Sequence, residues 1–381
     1  MNFKPIHAAL SVNALGLMSG TSMDGVDVAH LITNGENHIV FGPTSFLPYS
    51  DADRSLLRAA IQAAKGLTSR TARPDPIAAA ENLIDQRHIE AVRAFRVANP
   101  DAQIDLIGFH GQTILHRPEQ RLTVQIGRGQ SLADALQTPV IYDMRAADVA
   151  AGGQGAPLVP VFHRALVQAA NLGDNIALLN IGGVANITYL QTPDAEPMAC
   201  DTGPGNALLD DLMLQRTGVA MDRDGGTAAT GTVNEMVLAQ YLGDSFFELP
   251  APKSLDRNAF DVSMVEDLTT QDAAATLTAF TAQSIAKLLP HLPGRLSELI
   301  ICGGGARNPT LTQFIRDALQ CTVSTAEKYG WSADALEAQA FAYLAVRSLR
   351  GLDLTFPNTT GVAKAMSGGV LVNPAASQTP A

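Results

Sequence analysis

Cysteine is scarce in this chain: Cys200, Cys302 and Cys321 are the three among 381 residues. Their odd number and wide spacing exclude a disulfide framework and a zinc-ligand pattern, so they read as reduced thiols expected to serve in buried packing. Charge is sparse too, at 17% of residues, and its balance of -11 leaves no basic surplus. Binding of nucleic acid or of an anionic membrane through bulk electrostatics is thereby excluded, and any anionic ligand must be held by local donors. Residues 5 to 23 carry no formal charge, but Gly, Ser, Asn and His interrupt them, which fits neither a signal peptide nor a membrane span. The expectation is a soluble, cytoplasmic protein that is not exported. Several signatures are missing as well: G-x-x-x-x-G-K-[ST], a complete G-x-G-x-x-G, H-E-x-x-H and G-x-S-x-G. A Walker NTPase, a standard dinucleotide dehydrogenase, a zincin and an α/β-hydrolase lose their usual support.

What the chain does have is length enough for two domains and an apolar content of 46%, as in a compact enzyme. Apolar runs alternate with glycine-rich turns and amphipathic stretches, which predicts an α/β protein. Strands are expected at 14–18, 26–32, 104–109, 122–126, 139–142, 176–181, 185–190, 298–302 and 321–324. Helices are expected at 52–65, 76–97, 157–170, 205–217, 232–242, 272–289, 309–319 and 333–349. The last has Ser332 as N-cap and Gly351 as a stop. The tail from Asn373 to Ala381 is expected to be disordered.

The most informative stretch runs from Gly16 to Asp27 and reads as strand, small-residue turn, strand. Gly20 and Gly25 would allow positive φ and close approach to a ligand, with Thr21, Ser22, Met23 and Val26 supplying hydroxyls and amides. Asp24 and Asp27 would repel bare phosphate, so a divalent cation between carboxylates and phosphate oxygens is the reading that accommodates both. ATP with Mg2+ is the natural candidate. The same strand, glycine turn, strand form returns at Leu178 to Leu190 around Gly182 and Gly183. Two such hairpins suggest a duplicated fold whose ribbons face each other across a cleft. A third turn, Gly303, Gly304 and Gly305, precedes a helix and could admit a base or ribose against backbone.

Asp201, in Asp201-Thr202-Gly203-Pro204-Gly205-Asn206, is either a capping group for the next helix or a general base. His110 lies between a strand and Gly111, where glycine would leave it accessible, and Arg145 follows a strand end near Asp143, with which it could form a structural ion pair. Glu337 shares a helix face with Ala340, Phe341 and Leu344 and should point towards apolar surroundings, where an arginine or a polar ligand must answer it. The charged turns 221–226 and 252–258 could close over a substrate.

Together these stretches resemble the anhydro-N-acetylmuramic acid kinases. The likeness is carried by 16–27, by Gly108 to Thr113, by Ala147 to Leu158, by Asn180 to Asn186, by Asp201 to Asn206 and by Ile301 to Asn308. The resemblance implies the actin, Hsp70 and hexokinase-like ATPase fold, with two ribonuclease-H-like domains around a nucleotide cleft. It implies lobes at 1–140 and 141–354, with 355–381 free to return to the first. It implies a reaction that takes 1,6-anhydro-N-acetylmuramic acid, ATP and water to N-acetylmuramic acid 6-phosphate and ADP in cell-wall recycling. Asp201 would be the base; Gly20 to Asp27, Gly182, Gly183 and Gly303 to Gly305 would meet the nucleotide; Asp24 and Asp27 would stand near Mg2+; His110, Arg145 and Glu337 are the substrate-site candidates. Arg128 departs from the acidic or small residue expected after Gly127. The rival readings are a kinase of another sugar or carboxylate on the same fold, and a non-catalytic sugar sensor. Neither a nucleic acid nor a membrane is an expected partner, and the sequence leaves room for a homodimer.

Overall fold

Short apolar runs bounded by glycine, asparagine or proline become the strands of this protein, and amphipathic runs between them become helices. The computed structural model describes residues 10–20 and 22–376. The strands are β1 (Val12–Met18), β2 (Gly25–Thr33), β3 (Ile39–Pro48), β4 (Leu106–Phe109), β5 (Gln112–Arg117), β6 (Leu122–Ile126), β7 (Val140–Tyr142), β8 (Ile176–Ile181), β9 (Val184–Leu190), β10 (Met198–Pro204), β11 (Glu298–Cys302), β12 (Thr322–Thr325) and β13 (Val370–Val372). The helices are α1 (Asp51–Ala64), α2 (Ile77–Ala98), α3 (Gly129–Leu136), α4 (Ala146–Ala150), α5 (Pro160–Ala169), α6 (Ala207–Thr217), α7 (Glu235–Leu242), α8 (Thr270–Leu288), α9 (Pro309–Ala318), α10 (Leu336–Leu349) and α11 (Pro357–Thr360). Among the described residues no helix is long and apolar enough to cross a membrane.

Two units emerge: 1–169 with 335–381, and 170–334. The first holds the sheet β13-β7-β4-β1-β2-β3 and the ribbon β5-β6; the second holds β10-β9-β8-β11-β12. Each sheet joins three antiparallel strands, β1 to β3 or β8 to β10, to two strands parallel to the first, β4 and β7 or β11 and β12. This is the ribonuclease-H-like order, found twice, and it realises the duplication read from the hairpins. The unit borders lie at 169/170 and 334/335, whereas the sequence placed them at 140/141 and 354/355.

The displaced border has a physical cause in two glycines. Gly16 and Gly108 are register partners on β1 and β4. A Cβ on Gly16 would lie 1.8 Å from the Ala338 carbonyl oxygen, and one on Gly108 would lie 2.1 Å from that of Phe341. Helix α10 therefore rests its own backbone on the first sheet, and 335–354 belongs there. Its N-cap is Ala335, not Ser332, while Gly351 does end it with φ +69°. The tail also departs from expectation as far as Ala375: the Asn373 carbonyl accepts from Gln130 at 2.9 Å, and the Ala375 amide donates to Asp134 at 2.7 Å. Residues 377–381 lie outside the described residues.

The first core gathers Leu15, Leu17, Val26 and Val28 of the strands under Leu57 of α1 and Ile84, Val92 and Phe95 of α2. In the second unit, Leu179, Ile187, Leu299 and Ile301 pack under Ile285 and Leu288 of α8 and Ile315 of α9. A separate cluster around Phe247, Tyr241 and Phe280 binds α6, α7 and α8 together.

Candidate active site

In the first unit the turn after β1 is held by the strand pair beside it. The Ser19 hydroxyl, fully buried, donates to the Gly111 carbonyl at 3.2 Å, and the Gln112 amide donates to the Gly20 carbonyl at 3.0 Å. Positive φ occurs at Met23 (φ 54°), not at Gly20 or Gly25, which corrects the reason expected for those glycines. Gly25 is required by packing, since a Cβ there would lie 2.3 Å from the Leu47 carbonyl oxygen; Gly20 has its nearest neighbour at 3.7 Å and stands open. Val26 is wholly buried, so only its backbone could reach a ligand. Thr21 lies outside the described residues.

Asp24 is exposed and accepts the Ser22 hydroxyl at 2.7 Å. Asp27 is half-buried within β2, between Met18 of β1 and Phe46 of β3. No group of three or more His, Cys, Asp or Glu converges among the described residues. Magnesium needs only one or two carboxylates, because it retains waters and takes phosphate oxygens. The open carboxylate of Asp24 fits that demand.

His110 and Arg145 form one device. His110 is 6% exposed and packs its ring on Phe341 with centroids 4.7 Å apart, so the expected accessibility is absent. Arg145 Nε and Nη2 approach His110 Nε2 at 3.2 and 3.0 Å. An arginine can only donate, so Nε2 must be the acceptor and Nδ1 carries the hydrogen, which goes to the Ser19 carbonyl at 3.2 Å. Burial first, then the Arg145 charge, push the imidazole pKa down to about 3, which keeps the ring in this neutral form. Arg145 Nη1 donates to the Gly155 carbonyl at 2.8 Å. Each Nη retains a second N–H that could serve a ligand.

The Gly152 to Pro157 turn is fixed from behind. Buried Asp148 accepts the Gly155 amide at 2.6 Å and the Thr360 hydroxyl at 2.6 Å. A Cβ on Gly153 would strike that carboxylate at 2.2 Å, so the glycine is what lets the turn close. Asp143 pairs with Arg70, not with Arg145. Ala340, Phe341 and Leu344 are buried; Glu337, in the first turn of α10, keeps accessible surface although its carboxyl is desolvated, and Arg145 is the cation that answers it, as expected. The Glu337 pKa is raised by desolvation, against the attraction of Arg145 and with the repulsion of Asp24.

Arg128 acquires a role. Its backbone amide and Nε grip Asp85 of α2 at 2.8 and 2.7 Å, and Nη2 reaches Asn82 at 2.6 Å. It pins the β6–α3 corner at the rim of a cavity of about 450 Å³ that His110, Gln125 and Tyr142 also line.

In the second unit a polar row crosses the sheet. Asn180 of β8, Asn186 of β9 and Asp201 of β10 are successive register partners, so their side chains share one face. The sequence singled out only Asp201 from this row. Asp201 sits inside β10, at a register shift between Asp201 and Gly203, and does not cap α6. Its amide donates to the Lys253 carbonyl at 2.9 Å, and its Oδ2 accepts the Leu255 amide at 2.7 Å. Oδ1 takes no hydrogen bond among the described residues. Burial pushes the carboxyl up to about 6, against the Leu255 N–H and the Lys253 charge.

Gly182 and Gly183 form the β8–β9 turn without positive φ, and their carbonyls accept the amides of Asn206 and Gly205 at 2.8 and 2.9 Å. Gly303 adopts φ +77°, and a Cβ there would meet Asn180 Oδ1 at 2.2 Å. Gly304 has open space, its nearest atom being Asn206 Nδ2 at 3.9 Å. The two turns thus adjoin within this unit, with Asn180 and Asn206 beside them.

The family model for anhydro-N-acetylmuramic acid kinase matches residues 12–374. A protein of that name from Bradyrhizobium diazoefficiens is 53% identical over 369 residues, covering 96% of this chain and all of the relative (100%). Those from Azorhizobium caulinodans and Rhodopseudomonas palustris are 54% and 51% identical over 370 and 368 residues, covering 95% and 96% of this chain and 100% of each relative. With the family's glycine ribbons and its Asp201 stretch set on twin ribonuclease-H-like sheets, the chain belongs to the anhydro-N-acetylmuramic acid kinase family.

Proposed function

We propose that this protein uses ATP to phosphorylate 1,6-anhydro-N-acetylmuramic acid while water opens the anhydro bridge, giving N-acetylmuramic acid 6-phosphate and ADP. Family membership supports the reaction, and one observation supports its chemistry: Asp201 offers a single unengaged carboxylate oxygen in a half-buried setting that brings its pKa towards neutrality. Water gives a proton to Asp201 as its oxygen bonds to C1 of the sugar. The C1–O6 bond breaks, O6 takes the electron pair and bonds to the γ-phosphorus, and the bond from that phosphorus to the ADP oxygen breaks. No separate acid is needed for the leaving oxygen, because it becomes the nucleophile.

Arg145 is the proposed donor to the sugar, oriented by His110 and the Gly155 carbonyl, with Glu337 as an acceptor for its hydroxyls. The backbone of Gly20 to Asp27 and of Gly182 and Gly183 would meet the phosphates, and Gly303 to Gly305 the nucleoside. Magnesium, for which Asp24 and Asp27 are the proposed carboxylates, would neutralise charge on the phosphate oxygens.

Asp201→Asn should abolish turnover while nucleotide binding, followed by calorimetry, persists. Wild-type enzyme in oxygen-18 water should place the label at C1 of the product. Ordinary turnover by Asp201→Asn, or unlabelled product, refutes the scheme.

A further inference from the structure

The turn 252–258, which the sequence could assign only to closing over a substrate, runs beside β10 and handles Asp201 on two sides. The Lys253 carbonyl accepts the Asp201 amide at 2.9 Å, and the Leu255 amide donates to Oδ2 at 2.7 Å. Lys253 itself is 9% exposed. Its ammonium donates to the Phe246 carbonyl at 2.9 Å and stands 4.3 Å from the centroid of the Phe246 ring. Among the described residues no carboxylate is in ion-pair contact with it. A buried ammonium served by one carbonyl and one aromatic face is costly unless an anion lies within its field. Burial lowers the pKa of this ammonium, against the pull of Cys200, Glu248 and Asp201, of which Glu248 and Asp201 are the carboxylates.

We propose that Lys253 is a positioning residue for Asp201: its backbone and that of Leu255 fix the carboxylate so that Oδ1 is the oxygen presented to water, and its buried ammonium keeps that carboxylate ionised at working pH. The inference rests on the reading of Asp201 as the base. The other neighbours supply little charge. β9 presents Asn186, α8 presents the hydroxyls of Thr281 and Ser284 near Gly203 and Gly205, and the Cys200 thiol is pushed up to about 12 by burial and stays neutral. Lys253 is thus the cation that opposes the upward pull of burial on Asp201.

The test is the pH dependence of kcat/KM for wild type, Lys253→Met, Lys253→Gln and Lys253→Arg between pH 5 and 9. Loss of the ammonium should move the acid limb up by ~1 unit. The rate at pH 6 would then fall several-fold more than the rate at pH 8. Lys253→Arg should leave the limb within about 0.3 unit of wild type, since it keeps the charge. Melting curves establish folding, and Lys253→Gln is read in place of Lys253→Met if the latter fails to fold. A limb unmoved in the neutral variants, or moved equally by arginine, overturns the inference. An active Asp201→Asn instead sinks the base assignment beneath it, so the two failures are distinguishable.

Discussion

The two sheets share a strand order but treat their polar groups in opposite ways. In the first, His110, Arg145, Asp148 and Thr360 answer one another, and what remains for a ligand is N–H on a positioned guanidinium. In the second, Asp201 is tied at one oxygen and left open at the other. The first sheet thus presents donors and the second an open acceptor oxygen. The ribbons differ likewise. The Ser19 to Asp24 turn is braced by its own Ser19 hydroxyl and by the Gln112 side chain of the neighbouring strand, whereas the Gly182–Gly183 turn is braced by the backbone entering α6.

The comparison breaks hardest where glycine meets backbone. Gly16→Ala drives a methyl to within 1.8 Å of a carbonyl in regular helix α10, which cannot yield locally. We expect a loss of ~3 kcal/mol or more, read as a fall in Tm of roughly 10 °C. Gly205→Ala, in the second unit, meets the Gly182 carbonyl at 2.3 Å, but that oxygen lies in a two-glycine turn, held by a single hydrogen bond from the Asn206 amide, and not in a regular helix. It should cost about half as much. Equal losses would mean that the two glycines are equally confined.

Arg145→Gln tests the donor platform. It removes the bonds to His110 Nε2 and leaves Glu337 without its countercharge. A drop in kcat/KM of about 100-fold is expected, with the melting point nearly kept. A loss confined to stability would assign Arg145 to the scaffold alone.

The acceptor side is sharpened by pH. A base with a pKa near 6 is mostly ionised at pH 7 and largely protonated at pH 5, so kcat/KM should fall about tenfold between them. Stability carries the opposite sign. The folded pKa lies above that of an ordinary aspartate, so ionising Asp201 weakens the fold as pH rises from the ordinary aspartate range to about 6, and the full cost is felt above about 6. Asp201→Asn should therefore melt higher than wild type at pH 8 by an amount that disappears near pH 4. A gap independent of pH would show that Asp201 titrates as an ordinary carboxylate.

Much of the fold was legible because strand signals were local. The apolar runs 122–126, 176–181 and 298–302 coincide with β6, β8 and β11. β3 was missed because Gly42 and Pro43 interrupt an exposed edge strand, and β10 because Asp201-Thr202-Gly203 reads as a turn until Asn186 and Ala185 pair with it. The site was legible as residues and not as contacts. Asp201 was named, but its partner Leu255 is 54 positions away and donates through its backbone, which leaves no trace in side-chain pattern. Glu337 was placed rightly beside an arginine but keeps accessible surface, because α10 begins at Leu336, later than the expected 333, and leaves Glu337 in its first turn.

The smallest expected effect is at Gly20, where the sequence suggested positive φ and close approach to a ligand. Its backbone does not take positive φ, and an added methyl would stand 3.7 Å from the nearest atom. Gly20→Ala should change Tm by less than about 2 °C, since the replacement meets no clash and reduces the freedom of the unfolded chain. The methyl would, however, occupy the open side of the turn. A variant that melts like wild type but binds nucleotide several-fold more weakly would place the phosphate against that side, while unchanged binding would move the contact to the amides of Ser22 to Asp24.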